Sequence, residues 1–250
     1  MVFVTDFGLA DSYAAELRAA AWSASPGVRC VDGTHLIPPG SVLTAAYTCK
    51  RLARAFGPGS VLCAVVDPGV GGERGAVAVE CDGVLGVAPD TGLLSYIWTE
   101  ARERRAFRVS VPAGAAATFH GRDLFAPLAA RLAGGAPLDA IGEALAEPQL
   151  RAALIPTLTD ARAGSLVVAV DHFGNCVTGL RRDDTGIRPV TELRWPGGST
   201  TEVVRTYAEI GSGPAVLWNS GDHLELAVRD GSAARLTGLT VGDAVEASLG

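Results

Sequence analysis

The pattern of apolar and polar positions divides the chain into two parts of different texture. Up to about residue 150, strand-like runs alternate with runs of helical period: strands over 2–5, 28–32 and 61–67, and helices over 12–24, 41–56 and 122–133. The runs 76–81 and 84–89, separated by Asp82 and Gly83, predict a hairpin with a two-residue turn. This alternation predicts an α/β domain over 1–150 with a mainly parallel sheet.

The apolar runs become short, alternating and closely spaced in the last third of the chain. They cover 166–171, 176–180, 192–195, 201–206, 215–220 and 223–228. Such a series predicts a smaller antiparallel β-barrel domain over 165–250. The stretch 147–164, with Pro148, Pro156 and Gly164, is the predicted linker.

Charge and apolar content exclude several classes of function. The net charge is −6, with acidic and basic residues interspersed, so no basic stripe is available for nucleic-acid phosphates. No apolar run approaches the roughly 20 residues of a membrane-spanning helix, and the first residues read as a strand rather than a signal peptide. The five cysteines show no CxxC spacing, which favours free thiols in a reducing cytoplasm. We expect a cytoplasmic protein with no nucleic-acid or membrane partner.

Lys50 is the only lysine, and its amphipathic surroundings predict a solvated or snorkelling side chain. No GK[ST] phosphate loop is present, and the glycine-rich segment 69–75 has Arg74 where a dinucleotide fingerprint needs its last glycine. A pyrophosphate-bearing cofactor is therefore not expected. The four histidines lack metal-ligand spacing, so no metal site is expected and a metal-dependent phosphohydrolase is disfavoured.

Aspartates end the first three predicted strands: Asp6, Asp32 and Asp67. Because the carboxyl ends of strands line the ligand crevice of an open α/β sheet, these carboxylates are candidates to bind a ribose diol, a cationic ligand or a metal. For each of them, capping a loop or a helix is an equally good explanation.

Two further loops carry chemistry that suits this crevice. In VVDPGVGGER a flexible turn brings Arg74 back towards Asp67, and in TFHGRD His120 stands at a helix start. Separately, these residues read as an ion-paired turn and an ordinary polar residue. Together, Asp67, Arg74 and His120 form a candidate set for activating a water molecule.

Seven segments in chain order carry a resemblance to a known family. They are TDFG (5–8), DGTH (32–35), VVDPGVG (65–71), APDTGLL (88–94), TFHGRDLFAP (118–127), VDHFGN (170–175) and NSGDHLELA (219–227). These segments resemble the SAM hydroxide adenosyltransferases, which are adenosine-forming S-adenosyl-L-methionine (SAM) hydrolases related to fluorinase and chlorinase. The resemblance implies an N-terminal α/β domain, a C-terminal β-barrel, and a homotrimer with active sites between subunits. It implies no cofactor, since SAM is the substrate.

The resemblance also implies roles for individual residues. Asp67, Arg74 and His120 would be catalytic, Asp6 would hold the ribose hydroxyls, and Phe119 would contact substrate. Second-domain residues would bind the rest of the ligand: Asp171 and Ser220 the methionine end, Phe173, Asn175 and Tyr207 the adenine, with Glu225 also near the ligand. The sequence departs from the family at Gly179, where relatives have Asn, and at Asp222-His223, where they have Gly-Tyr.

Hydrolysis of SAM to adenosine and L-methionine, by in-line attack of an activated water at C5′, is therefore the predicted function. One alternative is a noncatalytic SAM- or adenosine-binding protein, which the intact Asp, Arg and His set disfavours. The other is a halide-using adenosyltransferase, which is disfavoured because the carboxylate of Asp67 would repel an approaching anion.

Overall fold

The structure is a computed structural model that describes residues 1–152 and 154–250. The chain forms two compact units, Met1–Arg151 and Ala152–Gly250. Within the described ranges, no helix is long and apolar enough to cross a membrane.

The first unit contains seven strands and four α-helices among its described residues. The strands are β1 (Val2–Thr5), β2 (Val31–Thr34), β3 (Val61–Val65), β4 (Ala76–Cys81), β5 (Val84–Pro89), β6 (Arg104–Val109) and β7 (Glu143–Leu145). The helices are α1 (Tyr13–Ala24), α2 (Val42–Phe56), α3 (Ser95–Glu100) and α4 (Ala126–Ala133). A π-helical turn, Gly121–Phe125, leads into α4, and a 3₁₀ turn covers Leu138–Ala140.

The seven strands form one mixed sheet in the order β2-β1-β3-β5-β4-β6-β7. Strands β2, β1, β3 and β5 run parallel, and β4, β6 and β7 pair antiparallel. The α/β class is confirmed, as is the β4–β5 hairpin, whose turn residue Asp82 has the left-handed φ of 47° that such turns need. β2 begins at Val31, three residues later than predicted.

Both faces of this sheet are covered, because alternate residues of the buried strands point to opposite sides. Val4 and Ala64 belong to the cluster that also contains Ala45 of α2 and Ile97 of α3. Phe3, Cys63 and Val65 belong to the opposite cluster, which contains Leu17 of α1 and Ala129 of α4. The carboxyl ends of the parallel strands are therefore held between two packed helical layers.

The predicted exposure of Lys50 is wrong. Its side chain is 1% exposed, its Nζ lies 2.7 Å from Oε1 of Glu100, and it lies over the ring of Tyr96. A carboxylate from α3 compensates the buried charge, which is the condition for burying an ammonium group. The ion pair thus ties α2 to α3.

The second unit contains eight strands among its described residues: β8 (Thr157–Leu158), β9 (Arg162–Val170), β10 (Cys176–Arg181), β11 (Val190–Trp195), β12 (Gly198–Thr200), β13 (Ala215–Trp218), β14 (His223–Ala227) and β15 (Ala244–Leu249). Two short helices accompany them, α5 (Arg182–Thr185) and α6 (Ala233–Thr237), with 3₁₀ turns at Ala152–Leu154 and Tyr207–Glu209. The order β12-β11-β15-β9-β10-β14-β13 is antiparallel throughout and gives the predicted barrel-like sheet.

Two sequence predictions fail in this unit. β8 and the start of β9, at Arg162, pair with each other, so strand structure starts inside the predicted linker. The apolar run 201–206 is not a strand and contributes one isolated bridge, between Val203 and Val216. A 3₁₀ turn at Tyr207–Glu209 follows this segment directly.

Candidate functional site

Asp6 and Asp67 lie beside each other at the carboxyl ends of adjacent parallel strands. Thr5 of β1 pairs with Val65 of β3, so Asp6 follows one strand directly and Asp67 follows the other by two residues. Asp6 Oδ2 accepts a hydrogen bond from the backbone N–H of Gly40, 2.8 Å away, just before α2. The sheet edge therefore carries two of the three predicted carboxylates.

Asp32 does not join them, and that prediction is wrong. It is the second residue of β2 and pairs with Phe3 in the middle of β1. Its carboxylate forms an ion pair with Arg18 of α1 and accepts from Nε2 of His35. These hydrogen bonds, that of Arg18 foremost, lower the pKa of Asp32. Asp32 thus has the structural role that the sequence left open.

Asp90 occupies the third strand end instead, directly after β5. Its backbone N–H donates to Gly75 O, beside Arg74, and its Oδ1 accepts from the N–H of Gln149 at 2.7 Å. Burial raises the pKa of Asp90. The sequence carried the signal, since an aspartate directly follows the predicted strand VLGVAP as well.

Asp67 and Arg74 form a buried pair. The side chains are 6% and 9% exposed, and Arg74 Nε donates to both carboxylate oxygens of Asp67, at 2.9 and 3.0 Å. Arg74 Nη2 also donates to Asp67 Oδ2. Their loop passes close to the loop before His120 at Gly71, where φ is 76° and an added Cβ would lie 2.5 Å from Ala117 O. Glycine is required there.

Arg74 also reaches His120: its Nη2 lies 2.7 Å from Nδ1 of the imidazole. Because a guanidinium can only donate, Nδ1 must be the acceptor and the ring proton is on Nε2. His120 is 6% exposed, and burial, followed by the positive charge of Arg74, lowers its pKa. The histidine of the triad is therefore neutral. Its Nδ1 lone pair is engaged by Arg74, and its Nε2 carries the ring proton.

The remaining guanidinium nitrogen of Arg74 has no partner. Nη1 is buried and makes no hydrogen bond to any described residue, while the guanidinium lies over the ring of Phe125. A buried N–H group without an acceptor costs about 1–3 kcal/mol, more when charged. This atom is a charged donor inside the triad, suited to an oxygen of a ligand or water.

Aromatic side chains flank His120. Phe119 makes edge contacts with Phe7 and Tyr13, at ring-centroid distances of 5.7 and 5.4 Å. Gly121 packs against Phe7, whose Cζ would lie 2.9 Å from an added Cβ. The predicted helix 122–133 thus begins with a π-helical turn, a feature common at functional sites.

In the second unit, Asp171 organises a turn. Its Oδ1 accepts from the N–H groups of Phe173 and Asn175, at 2.9 and 2.8 Å, and its Oδ2 accepts from Asn175 Nδ2 at 2.9 Å. The Phe173 ring is 73% exposed above this turn, an unusual exposure for phenylalanine.

Glu225 is buried in β14, 2% exposed, and links two segments. Its Oε1 accepts from the hydroxyl of Tyr207 at 2.6 Å, and its Oε2 accepts from Asn219 Nδ2 at 3.0 Å. The Tyr207 side chain is 49% exposed, and Ser220 is exposed on the turn that Asn219 starts. Glu225 therefore anchors Tyr207 from beneath.

The two departures from the family pattern are both accommodated by the fold. Asp222 has a φ of 59°, a conformation in which glycine is the ordinary residue and Asp is tolerated. His223 is fully buried, with Nδ1 2.8 Å from Thr178 O. Gly179 lies within β10, beside that carbonyl.

The structure thus brings Asp67, Arg74 and His120 together in the first unit, near Asp6 and Phe119. It places Asp171, Phe173 and Asn175 on one turn of the second unit, and Tyr207, Asn219 and Glu225 in one hydrogen-bonded group. Asn219 was not predicted as a site residue, although it lies within the segment NSGDHLELA. No cluster of three or more His, Cys, Asp or Glu side chains able to hold a metal is present among the described residues.

Comparison with known proteins covers nearly the whole chain. Similar curated proteins include the (R)-S-adenosyl-L-methionine hydrolases of Thermus thermophilus, 39% identical over 96% of both chains, and of Salinispora tropica, 36% identical over 99% of this chain and 97% of the other. A fluorinase of Actinoplanes sp. is 29% identical over 91% of this chain and 90% of its own length.

Two crystal structures share the fold. A conserved protein from Thermotoga maritima superposes with a TM-score of 0.87 at 28% identity, over 99% of both chains. A conserved protein from Thermus thermophilus gives 0.80 at 36% identity, over 98% of both. The profile of the SAM hydroxide adenosyltransferase N-terminal domain matches residues 1–142, and that of the C-terminal domain matches 165–246. The chain belongs to the SAM hydroxide adenosyltransferase family.

Proposed function

We propose that this protein hydrolyses SAM to adenosine and L-methionine, with a preference for the (R) epimer at sulfur. The observation that carries the proposal is Arg74 Nη1, a buried donor without a partner beside Asp67 and His120. The related hydrolases named for (R)-SAM, 36–39% identical, supply the substrate and the epimer.

The leaving group of this reaction departs without acid catalysis. The positively charged sulfonium leaves C5′ as a neutral thioether, taking the bonding electrons, so no acid is needed on that side. Only the nucleophile needs help, because free water has a pKa of about 15.7. Arg74 Nη1 binds the attacking oxygen and stabilises the negative charge that develops on it.

His120 acts as a second donor in this proposal. Its Nδ1 lone pair is engaged by Arg74, so Nε2–H is the group left to hold the oxygen. For His120 to take the water proton, the bond to Arg74 would first have to break. Asp67, the carboxylate of the triad, accepts the proton as the O–C5′ bond forms, and it keeps Arg74 oriented throughout.

The remaining substrate contacts follow the family assignment. Asp6 binds the ribose hydroxyls, Phe119 contacts substrate, and Asp171 and Ser220 bind the methionine end. Phe173, Asn175 and Tyr207 enclose the adenine, with Glu225 acting through Tyr207. The exposed rings of Phe173 and Tyr207 support this, since aromatic faces stack on nucleobases. We propose a homotrimer in which neighbouring subunits complete each site.

The reaction needs no cofactor or metal in this proposal, because Arg74 supplies the charge that would stabilise the nucleophile. We place the protein in the cytoplasm, since its five cysteines are all free thiols and four are buried.

A single incubation tests the function. Purified protein is mixed with separated (R)- and (S)-SAM in H₂¹⁸O, with and without fluoride or chloride, and the products are resolved by liquid chromatography and mass spectrometry. We expect adenosine carrying ¹⁸O at the 5′ position, formed faster from (R)-SAM. The fluorinase relatives make a halide the second candidate nucleophile, and 5′-halo-adenosine would replace the proposal by that reaction. If SAM remains unchanged, the protein is a noncatalytic binding protein and the proposed function is wrong.

A further inference from the structure

A chain of hydrogen bonds runs through the first unit behind Asp6. Arg18 of α1 pairs with Asp32, and Asp32 Oδ1 accepts from His35 Nε2 at 3.1 Å. On the other side of the ring, His35 Nδ1 lies 2.7 Å from Thr5 Oγ1. Thr5 Oγ1 in turn accepts the backbone N–H of Phe7 at 3.2 Å. The chain thus starts on a surface helix and ends on the two neighbours of Asp6.

The direction of these bonds follows from their chemistry. The carboxylate of Asp32 only accepts, so His35 carries a proton on Nε2. Thr5 Oγ1 accepts the N–H of Phe7 and directs its own proton to Nδ1 of His35, which therefore holds a lone pair. His35 is 2% exposed and Thr5 is fully buried, so water cannot replace either partner without rearrangement.

Backbone hydrogen bonds also join the segment around His35 to the loop that carries Asp6. The carbonyl of His35 accepts the N–H of Gly8 at 2.7 Å, and the carbonyl of Thr5 accepts the N–H of Ile37 at 3.2 Å. Asp6 lies between these anchor points, and its own carboxylate is fixed by Gly40 N–H at 2.8 Å. The backbone torsions on either side of Asp6, ψ of Thr5 and φ of Phe7, therefore belong to residues held by these hydrogen bonds.

We propose that His35 and Thr5 are positioning residues that fix the Asp6 carboxylate for the ribose hydroxyls, and so set the preference for ribose over 2′-deoxyribose. This inference rests on the proposed function of Asp6. The mechanism above gives no other role to this chain of bonds. It links Arg18, Asp32, His35 and Thr5 in series to the loop that carries Asp6.

The test compares two nucleosides, adenosine and 2′-deoxyadenosine, by calorimetric titration of the full-length protein. Wild type should prefer adenosine by about tenfold or more, because a site built to bind a hydroxyl rejects the ligand lacking it. Thr5→Val has nearly the same shape but no hydroxyl, and should reduce the preference to about threefold or less, since small displacements of a positioning group are costly. Thr5→Ser restores the hydroxyl and should restore the preference.

The control is Thr185→Val, which removes an equally buried hydroxyl, one that donates to Arg182 O, in the second unit. It should keep the wild-type nucleoside preference even if it lowers the melting temperature. A folded Thr5→Val protein with undiminished preference overturns the inference.

A measurement on wild type keeps the inference testable if Thr5→Val does not fold. Long-range ¹H–¹⁵N spectra report which ring nitrogen of His35 is protonated, and Nε2 should carry a proton. An unprotonated Nε2 breaks the link to Asp32 and overturns the inference. If wild type neither hydrolyses SAM nor binds adenosine, the proposed function fails instead, and that outcome is read from a separate assay.

Discussion

Arg74 and His120 are joined by a hydrogen bond that can run in one direction only, from Nη2 to Nδ1 across 2.7 Å. The guanidinium cannot accept, so any proton added to Nδ1 destroys the bond and places two positive charges in contact. The protonation state of His120 therefore decides whether the triad is assembled.

This relationship gives the pH dependence of the reaction. The pKa of His120 is lowered from 6.5 by burial and by Arg74, so the neutral, assembled form predominates at pH 7. As pH falls through a value below 6.5, kcat/KM should fall with a slope of one proton. The profile of kcat/KM measures this, because it reports groups of the free enzyme. His120→Gln should be slower and lack the inflection, whereas an inflection well above 6.5 would contradict the assignment.

Substitution of Arg74 should affect turnover more than binding. Arg74→Lys keeps the charge, but one ammonium cannot serve Asp67, His120 and the attacking oxygen together. We expect kcat to fall by about 10²–10³, the usual effect of losing one transition-state donor. Steady-state kinetics measure the effect on turnover, and titration with adenosine measures the effect on ligand binding. Arg105→Lys, in an exposed ion pair with Glu80, is the matched control and should remain at wild-type activity. Undiminished turnover in Arg74→Lys would remove Arg74 from the mechanism.

Asp6→Asn should raise KM with a smaller change in kcat. The amide keeps an oxygen for the N–H of Gly40 but loses the charge that strengthens hydrogen bonds from ribose hydroxyls. The loss of one charged hydrogen bond is about 1.5–3 kcal/mol, or roughly 10- to 150-fold in affinity. Initial-rate kinetics check this, with Asp230→Asn, whose side chain is 96% exposed, as control. A fall in kcat alone would argue against a binding role.

Glu225→Leu should destabilise the second unit. Tyr207 and Asn219 both donate to this carboxylate, so its replacement removes two charge-assisted hydrogen bonds. The cost should be about 2–4 kcal/mol. Urea unfolding followed by tryptophan fluorescence measures it, because Trp195 and Trp218 pack on the core of this unit. Glu246→Leu removes an exposed partner of Arg162 and should cost less than about 1 kcal/mol. Equal costs in the two variants would show that Glu225 is not an anchor.

Dialysis against EDTA should leave turnover unchanged, because the stabilising charge in the proposed mechanism is Arg74. Activity is compared before and after dialysis, and after adding back Mg²⁺, Mn²⁺ or Zn²⁺. Loss of activity that one of these ions restores would require a metal in the mechanism.

Features fixed by local chemistry were predictable from the sequence. The hairpin at Asp82-Gly83 and the strand ends at Asp6 and Asp67 follow from turn preferences and from runs of buried residues. Arg74 approaches Asp67 through a glycine-rich turn of six residues, 68–73, so this pair was also accessible to sequence reasoning.

Features that depend on distant partners were not predictable. Asp32 reads like Asp6 along the chain, but Arg18 and His35 claim its carboxylate in the fold. The run 201–206 has strand composition, yet it pairs through one bridge only. Asn219 donates to Glu225 across a turn. No periodic pattern in the sequence predicts that this turn brings the two side chains together.

The buried pair of Lys50 and Glu100 has a practical consequence for handling the protein. Because the only lysine is enclosed between α2 and α3, amine-directed reagents should leave its side chain unmodified while the first unit is folded. Labelling of Lys50 by a succinimidyl reagent therefore reports opening of the contact between these two helices.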